Sequence, residues 1–327
     1  MKHAKLFSVL VFATIGLYGS VGFYFLPLAN FEGDLTRIGL LPEAMFGWTR
    51  PQPAIDPALM RQASWETADV LVVGDSFSKD HVWQTELVRR GLQVRTENWT
   101  NICEDFAPWL RSKGFRGKYV VIESVERDAS SRLAESIGCK KMNFRHGVEV
   151  DAPRRPPKTI LDLDGNKFSG RLSIGPQVWL NASKYQILSA RSDFKTWQAT
   201  DGAIVKRVAQ GCVLFSHPQC QDALFMSLDQ EQDLGADAAE NLLALGKRFE
   251  GLTAIWVIVP NKSTAYLYPD KHFWDEAERR AGAVNVMKVV RQAISDRVVD
   301  VYRGHDTHLS TTGYLLMGDA IYQKIQR

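Results

Sequence analysis

The 327 residues are 45% hydrophobic and 24% charged, enough to bury the core of one large globular domain or of a domain carrying an elaborate insertion. Forty Lys and Arg against 37 Asp and Glu leave a net charge of +3 with no basic stripe, which excludes a nucleic-acid-binding protein as a class. After Lys2 and Lys5 comes an uncharged run from Leu6 to Phe31, rich in Leu, Val, Phe, Ile, Gly and Tyr, of a length that can span a bilayer. No small-x-small cleavage site is evident before Glu32, so an uncleaved anchor over 1–31 is preferred to a signal peptide or a buried core helix. Positive charge ahead of the run predicts a cytoplasmic N-terminus and a translocated remainder.

Residues 32–64 hold several prolines and no sustained period, and read as a linker to a folded domain over 65–327. Ala68–Val73 is a short β-branched run expected to be a strand buried on both faces, ending at Gly74-Asp75-Ser76. Residues 79–90 have helical spacing, with Val82, Trp83, Leu87 and Val88 apolar and Gly91 as a stop. The alternation continues with strands expected at 92–96, 118–123, 253–259 and 298–301, and helices at 104–113, 238–249, 275–295 and 311–325. Strands alternating with helices predict an α/β fold with a parallel sheet covered on both faces.

Between about 140 and 235 the pattern changes. Pro153, Pro156 and Pro157 precede LDLDGNKFSG, and the segments Gln177–Leu180 and Tyr185–Leu188 are short, so this stretch reads as a β-rich insertion of hairpins and loops. DLDGN is a turn rather than a calcium loop, since an EF-hand would need Gly where Lys167 stands and Glu where Ser173 stands. The cysteines Cys103, Cys139, Cys212 and Cys220 allow three fully paired connectivities. The short loop from Cys212 to Cys220 is the easiest bridge, leaving Cys103 with Cys139, and free buried thiols are the alternative. No CxxC pattern supports a zinc site.

A serine hydroxyl needs a general base, and usually a carboxylate to orient that base. Ser76 stands where a buried strand ends, the edge at which parallel sheets bind ligands. Asp306 and His308 stand before the last helix, where Ser310 or Thr311 is the expected N-cap. His81 and His305 are competing bases by position.

The run Gly74-Asp75-Ser76-Phe77-Ser78 with Asp306-Thr307-His308 resembles the SGNH/GDSL hydrolase superfamily, and within it the alginate-type exopolysaccharide O-acetyltransferase proteins. Glu123-Ser124-Val125-Glu126-Arg127 and Pro260-Asn261-Lys262-Ser263 are similar to further elements of that group. The likeness covers roughly residues 68 to 130 and 250 to 325. It departs from the alginate proteins in placing the serine block first, the usual order of the wider superfamily.

The resemblance implies a flavodoxin-like parallel-sheet SGNH hydrolase fold and a Ser76, His308, Asp306 triad. It also implies supporting roles for Asp75, Glu123, Arg127 and Lys262, with Asn98 or Asn101 as the oxyanion Asn. Glu123 and Arg127 are equally spaced for an ordinary ion pair, and Lys262 for a solvated strand end. The implied activity is O-acetylation of an exopolysaccharide or cell-surface glycan through an acyl-serine. The alternatives are a carbohydrate acetylesterase and a non-catalytic glycan-binding assembly component. No metal or cofactor is called for. Expected partners are an acyl donor supplied by a membrane acyltransferase, a polysaccharide acceptor and an exopolysaccharide secretion complex, with the protein single-pass in the inner membrane and its catalytic domain in the periplasm.

Overall fold

A computed structural model describes residues 2–142, 167–168, 172–229, 231 and 233–327. In chain order its elements begin with α1 (Lys2–Phe25), a 3-10 turn (Leu26–Ala29), β1 (Asn30–Phe31), α2 (Asp34–Gly39) and α3 (Glu43–Phe46). There follow β2 (Val70–Gly74), α4 (Ser76–Lys79), α5 (Thr85–Arg89), β3 (Val94–Asn98), α6 (Phe106–Ser112), β4 (Tyr119–Val125) and α7 (Glu126–Gly138). Next come β5 (Lys167–Phe168), α8 (Ile174–Ser189), β6 (Thr196–Thr200), β7 (Ala203–Arg207), α9 (Gly211–Leu214) and β8 (Asp222–Met226). The chain closes with α10 (Ala236–Gly246), β9 (Thr253–Val259), α11 (Lys262–Tyr266), α12 (Phe273–Ala281), α13 (Val286–Ser295) and α14 (Thr311–Ile325).

Two compact units divide the chain: residues 1–50, 160–227 and 303–307 form the first, and 51–159, 228–302 and 308–327 the second. The second is an α/β unit with a four-stranded parallel sheet in the order β3-β2-β4-β9. Alternate residues of β2 enter opposite cores. Val70 and Val72 pack with Leu87, Val290, Tyr314 and Ile321, while Leu71 and Val73 pack with Phe106, Leu110, Leu133 and Leu242. That two-sided burial is why VLVV and TAIWVIV are unbroken apolar runs. Val284 extends the sheet past β9 through a single parallel bridge to Val257. Because the chain leaves β2 for β3 on one side and returns to β4 on the other, the topological switch falls at the carboxyl end of β2.

The first unit contains α1, the β1–β5 pair and the antiparallel sheet β6-β7-β8. Its core joins Leu35, Phe46, Tyr185, Val205 and Leu224. The Asp222 carboxylate is buried there but satisfied, accepting from Tyr185 Oη and Arg207 Nε, each at 2.8 Å. Residues 2–29 form one helical stretch that contains an 18-residue window of mean hydropathy 1.9, long and apolar enough to cross a membrane.

Several expectations are corrected. Residues 32–64 are folded rather than a linker: Leu35, Thr36 and Phe46 are fully buried, because the prolines there punctuate short helices instead of spacing a free tether. The helix expected over 79–90 is split, since His81 takes a left-handed φ of 56° and ends the first turn. The strand expected at 298–301 does not form. Arg297 and Asp300 take φ of 59° and 55°, and only an isolated bridge, Tyr302 to Leu309, remains. Gln177–Leu180 and Tyr185–Leu188 lie within α8 rather than in hairpins, whereas β6, β7 and β8 supply the β structure expected of the insertion. The run with Pro153, Pro156 and Pro157 and the DLDGN turn lie outside the described residues. All four cysteines are paired, Cys103 with Cys139 and Cys212 with Cys220.

Candidate active site

Strand β2 delivers the chain to Gly74, and the next two residues turn sharply into α4. A Cβ on Gly74 would stand 2.3 Å from Ser78 Oγ and 2.7 Å from Glu123 Oε2, so only glycine lets the turn close this tightly. Asp75 is the N-cap, its Oδ1 accepting from Phe77 N–H at 2.9 Å. Its Oδ2 accepts from Val125 N–H at 2.9 Å and pairs with Arg132, which also donates to Ser124 Oγ at 2.8 Å. With both carboxylate oxygens engaged, Asp75 shapes the turn and is not free to act as a base. Ser76 is left exposed at the carboxyl edge of the sheet.

His308 reaches that serine. Its Nε2 lies 2.8 Å from Ser76 Oγ, within the same α/β unit. The imidazole packs against Phe77, ring centroids 4.6 Å apart. On its C-terminal side the chain is fixed by Ser310, which donates N–H to Val301 O at 3.0 Å and caps α14 by accepting from Gly313 N–H at 3.1 Å. The expected cap and His308 are thus close neighbours in the chain. His81 and His305 are not alternatives to it. His81 is buried with Nδ1 3.0 Å from Met60 O, and His305 is buried in the first unit with Nδ1 3.6 Å from Glu43 Oε1.

Asp306 belongs to the first unit, buried in a segment held by α2. Asp34 accepts from Thr307 N–H at 2.8 Å and Oγ1–H at 2.5 Å, and donates its own N–H to Asp306 Oδ2 at 3.3 Å. His305 O accepts from Leu35 N–H and Thr36 N–H. Below α2, Glu43 accepts from Thr36 Oγ1, Glu32 N–H and Gly33 N–H, and burial pushes its carboxyl up to about 7.

Of the expected supporting residues, Glu123 turns toward the serine loop and away from Arg127. Fully buried, its Oε2 accepts from Asp75 N–H at 3.0 Å and Ser78 Oγ at 2.7 Å, and Ser78 Oγ in turn accepts from Trp83 Nε1 at 3.2 Å. Burial, followed by the neighbouring Asp75 charge, pushes the Glu123 carboxyl well above the usual carboxylate range. Glu123→Gln keeps the acceptor and is expected to retain most activity. Glu123→Ala strands two buried donors, costing about 1–3 kcal/mol each, and is expected to lower both Tm and kcat. Equal losses in thermal melts and ester assays of the two variants would contradict this role.

Asn98 is the register partner of Gly74, placing it at the same sheet edge as the serine turn. Asn101 sits half-buried on the following loop. Arg127 donates to Asn261 Oδ1 at 3.2 Å and pairs with Asp229 at 3.4 Å, so its charge is already partnered. Lys262 is 1% exposed, which rules out a solvated strand-end lysine. Lys262 opens α11, next in the chain to Asn261, which joins Arg127 in a polar cluster past β4 and β9, where Glu126 accepts from Asn261 N–H at 2.8 Å and pairs with Lys271 at 2.5 Å. Asp34, Arg132, Asp229 and Lys271 went unpredicted. Asp34 lies in the proline-containing stretch without a period, and the other three carry no local motif.

Among the described residues the site offers an exposed hydroxyl, an imidazole in hydrogen-bond contact with it and a buried carboxyl fixing the loop from below. That set suits nucleophilic acyl transfer. No protein-family model, no curated protein and no solved structure matches the chain.

Proposed function

We propose that the protein is a serine-dependent acyltransferase of SGNH type that O-acetylates an exopolysaccharide or cell-surface glycan. The observation that carries the reading is the 2.8 Å approach of His308 Nε2 to Ser76 Oγ at the carboxyl end of β2. With its proton on Nδ1, the imidazole accepts the Ser76 proton as Oγ attacks the acyl carbonyl. The resulting imidazolium returns that proton to the departing donor group, leaving an acyl-serine. A sugar hydroxyl then gives its proton to His308 and attacks the ester, and the released Ser76 oxygen takes the proton back.

Asp306 is kept as the acid of the triad on its Asp-x-His spacing. Ser76 N–H is assigned as an oxyanion donor because Phe77 N–H is already held by Asp75. Asn98 is the second donor on its register with Gly74. The strand order, equivalent to 2-1-3-4 with Val284 in a fifth position, supports the flavodoxin-like assignment.

Placement outside the cytoplasm is supported by the apolar α1 behind Lys2 and Lys5 and by two disulfides. On that reading the protein is single-pass in the inner membrane, receives acyl groups from a membrane acyltransferase and works beside a polysaccharide secretion complex. Water in place of the sugar would make the same machinery an esterase. Incubating the protein with an acetyl donor and candidate oligosaccharides is expected to add acetyl groups to the sugar, read as a mass gain. Loss of acetyl from a preacetylated sugar, with no gain in any acceptor, would assign it as an esterase instead.

A further inference from the structure

Helix α8 has an outward face that an ordinary surface helix would not carry. At 100° per residue, Trp179, Leu180 and Ile187 fall on one side, and they are 47%, 57% and 72% exposed. The opposite side carries Val178 and Tyr185, at 0% and 1%, which pack into the first unit. A helix lying on a water-facing surface places charge opposite its buried stripe. Here the only charged residue in all of IGPQVWLNASKYQILS is Lys184.

The position of that face says what covers it. Helix α1, at 24 residues and about 1.5 Å per residue, is roughly 36 Å long against about 30 Å of hydrocarbon, so its last turn emerges at the headgroup level. The start of α8 is locked onto that turn within the same unit. A Cβ on Gly175 would meet Phe25 O at 2.3 Å, and the Trp179 and Phe25 rings lie 5.3 Å apart. The exposed apolar side chains therefore begin at the level where the membrane ends, with a Trp, the residue that favours the bilayer interface, in first place.

We infer that α8 rests on the bilayer surface beside the outer end of α1, with Trp179, Leu180 and Ile187 entering the lipid. This second contact holds the first unit against the membrane instead of leaving it on a tether. It rests on the reading of α1 as the membrane span, and the test separates the two.

The full chain is reconstituted in phosphatidylethanolamine and phosphatidylglycerol vesicles with one introduced cysteine carrying an environment-sensitive fluorophore. The four native cysteines are all in disulfides, so labelling is confined to the new site. Ile187→Cys and, as a second position, Leu180→Cys report on the helix face. Ala209→Cys reports on an exposed residue elsewhere in the unit, and Ile15→Cys on α1. Shallow nitroxide-labelled lipid is expected to quench the labels at 187 and 180 several-fold more than the label at 209, with iodide on both sides showing the reverse order. Labels at 187 and 180 that behave like the one at 209, while the one at 15 is quenched by nitroxide placed deep in the acyl chains, would overturn the inference and leave the anchor standing. A label at 15 that the deep nitroxide does not quench would overturn both.

Discussion

Ser76→Ala is expected to lower turnover of a chromogenic acetyl ester by about three orders of magnitude or more, with Tm unchanged within a degree or so. The size follows from the role, because without Oγ there is no covalent route and only the remaining donors of the site assist water. The unchanged Tm follows from position: Ser76 is exposed, and the turn around it is fixed by Asp75, Ser78 and Glu123. His308→Ala is expected to match the loss, and the double variant to add little, since the two side chains act as one unit. Activity of Ser76→Ala close to the parent would remove the serine from the mechanism, and a collapsed melt would make the loss of activity uninformative.

The largest effect on stability is expected from the Cys103–Cys139 disulfide, which closes a loop of 36 residues. The chain-entropy relation gives about 4 kcal/mol for a loop of that length, against about 2.5 kcal/mol for the 8-residue Cys212–Cys220 loop. Replacing both Cys103 and Cys139 with serine is therefore expected to lower the Tm of the α/β unit by about 10 °C. The bridge ties the approach to α6 to the end of α7, where Arg248 also binds Ile137 O at 2.8 Å and the carbonyls of Ile102 and Ser136. The same segment carries Asn98 and Asn101, so loss of activity in the double variant should set in below its melting temperature. A Tm unmoved by reduction or by the substitutions would mean that this bridge does not hold the fold.

The parts legible in the sequence were those dictated by burial on two faces. VLVV, YVVIESV and TAIWVIV lie in the sheet interior, where period and composition leave one solution, and each became a strand within a few residues of its expected bounds. Ser310 was readable as a cap because capping is local. What failed depended on single backbone angles or on distant partners. The left-handed φ at His81, Arg297 and Asp300 broke a helix and a strand whose side-chain patterns looked continuous. Helix α8 was invisible to periodicity because it is apolar on both sides.

At the site, spacing pointed to Ser76 and His308, but spacing also offered a Glu123–Arg127 pair. Strand geometry decided otherwise, since Glu123 lies within β4 with its carboxylate beside Gly74, while Arg127 is the second residue of α7. Asp34 could not be found in the sequence at all. Its partners, Asp306 and Thr307, lie 272 and 273 residues away.

In the proposed reaction Ser76 carries the acyl group. The direct test is to mix the protein with an activated acetyl ester, quench in acid within the first turnovers, digest and read the acetylated peptide by mass spectrometry. One acetyl group is expected on the peptide containing Gly74-Asp75-Ser76, localised to Ser76, absent from Ser76→Ala and discharged when an acceptor sugar is added. Turnover of the ester with Ser76 unmodified at every quench time, or an acetyl group trapped on another residue, would contradict it.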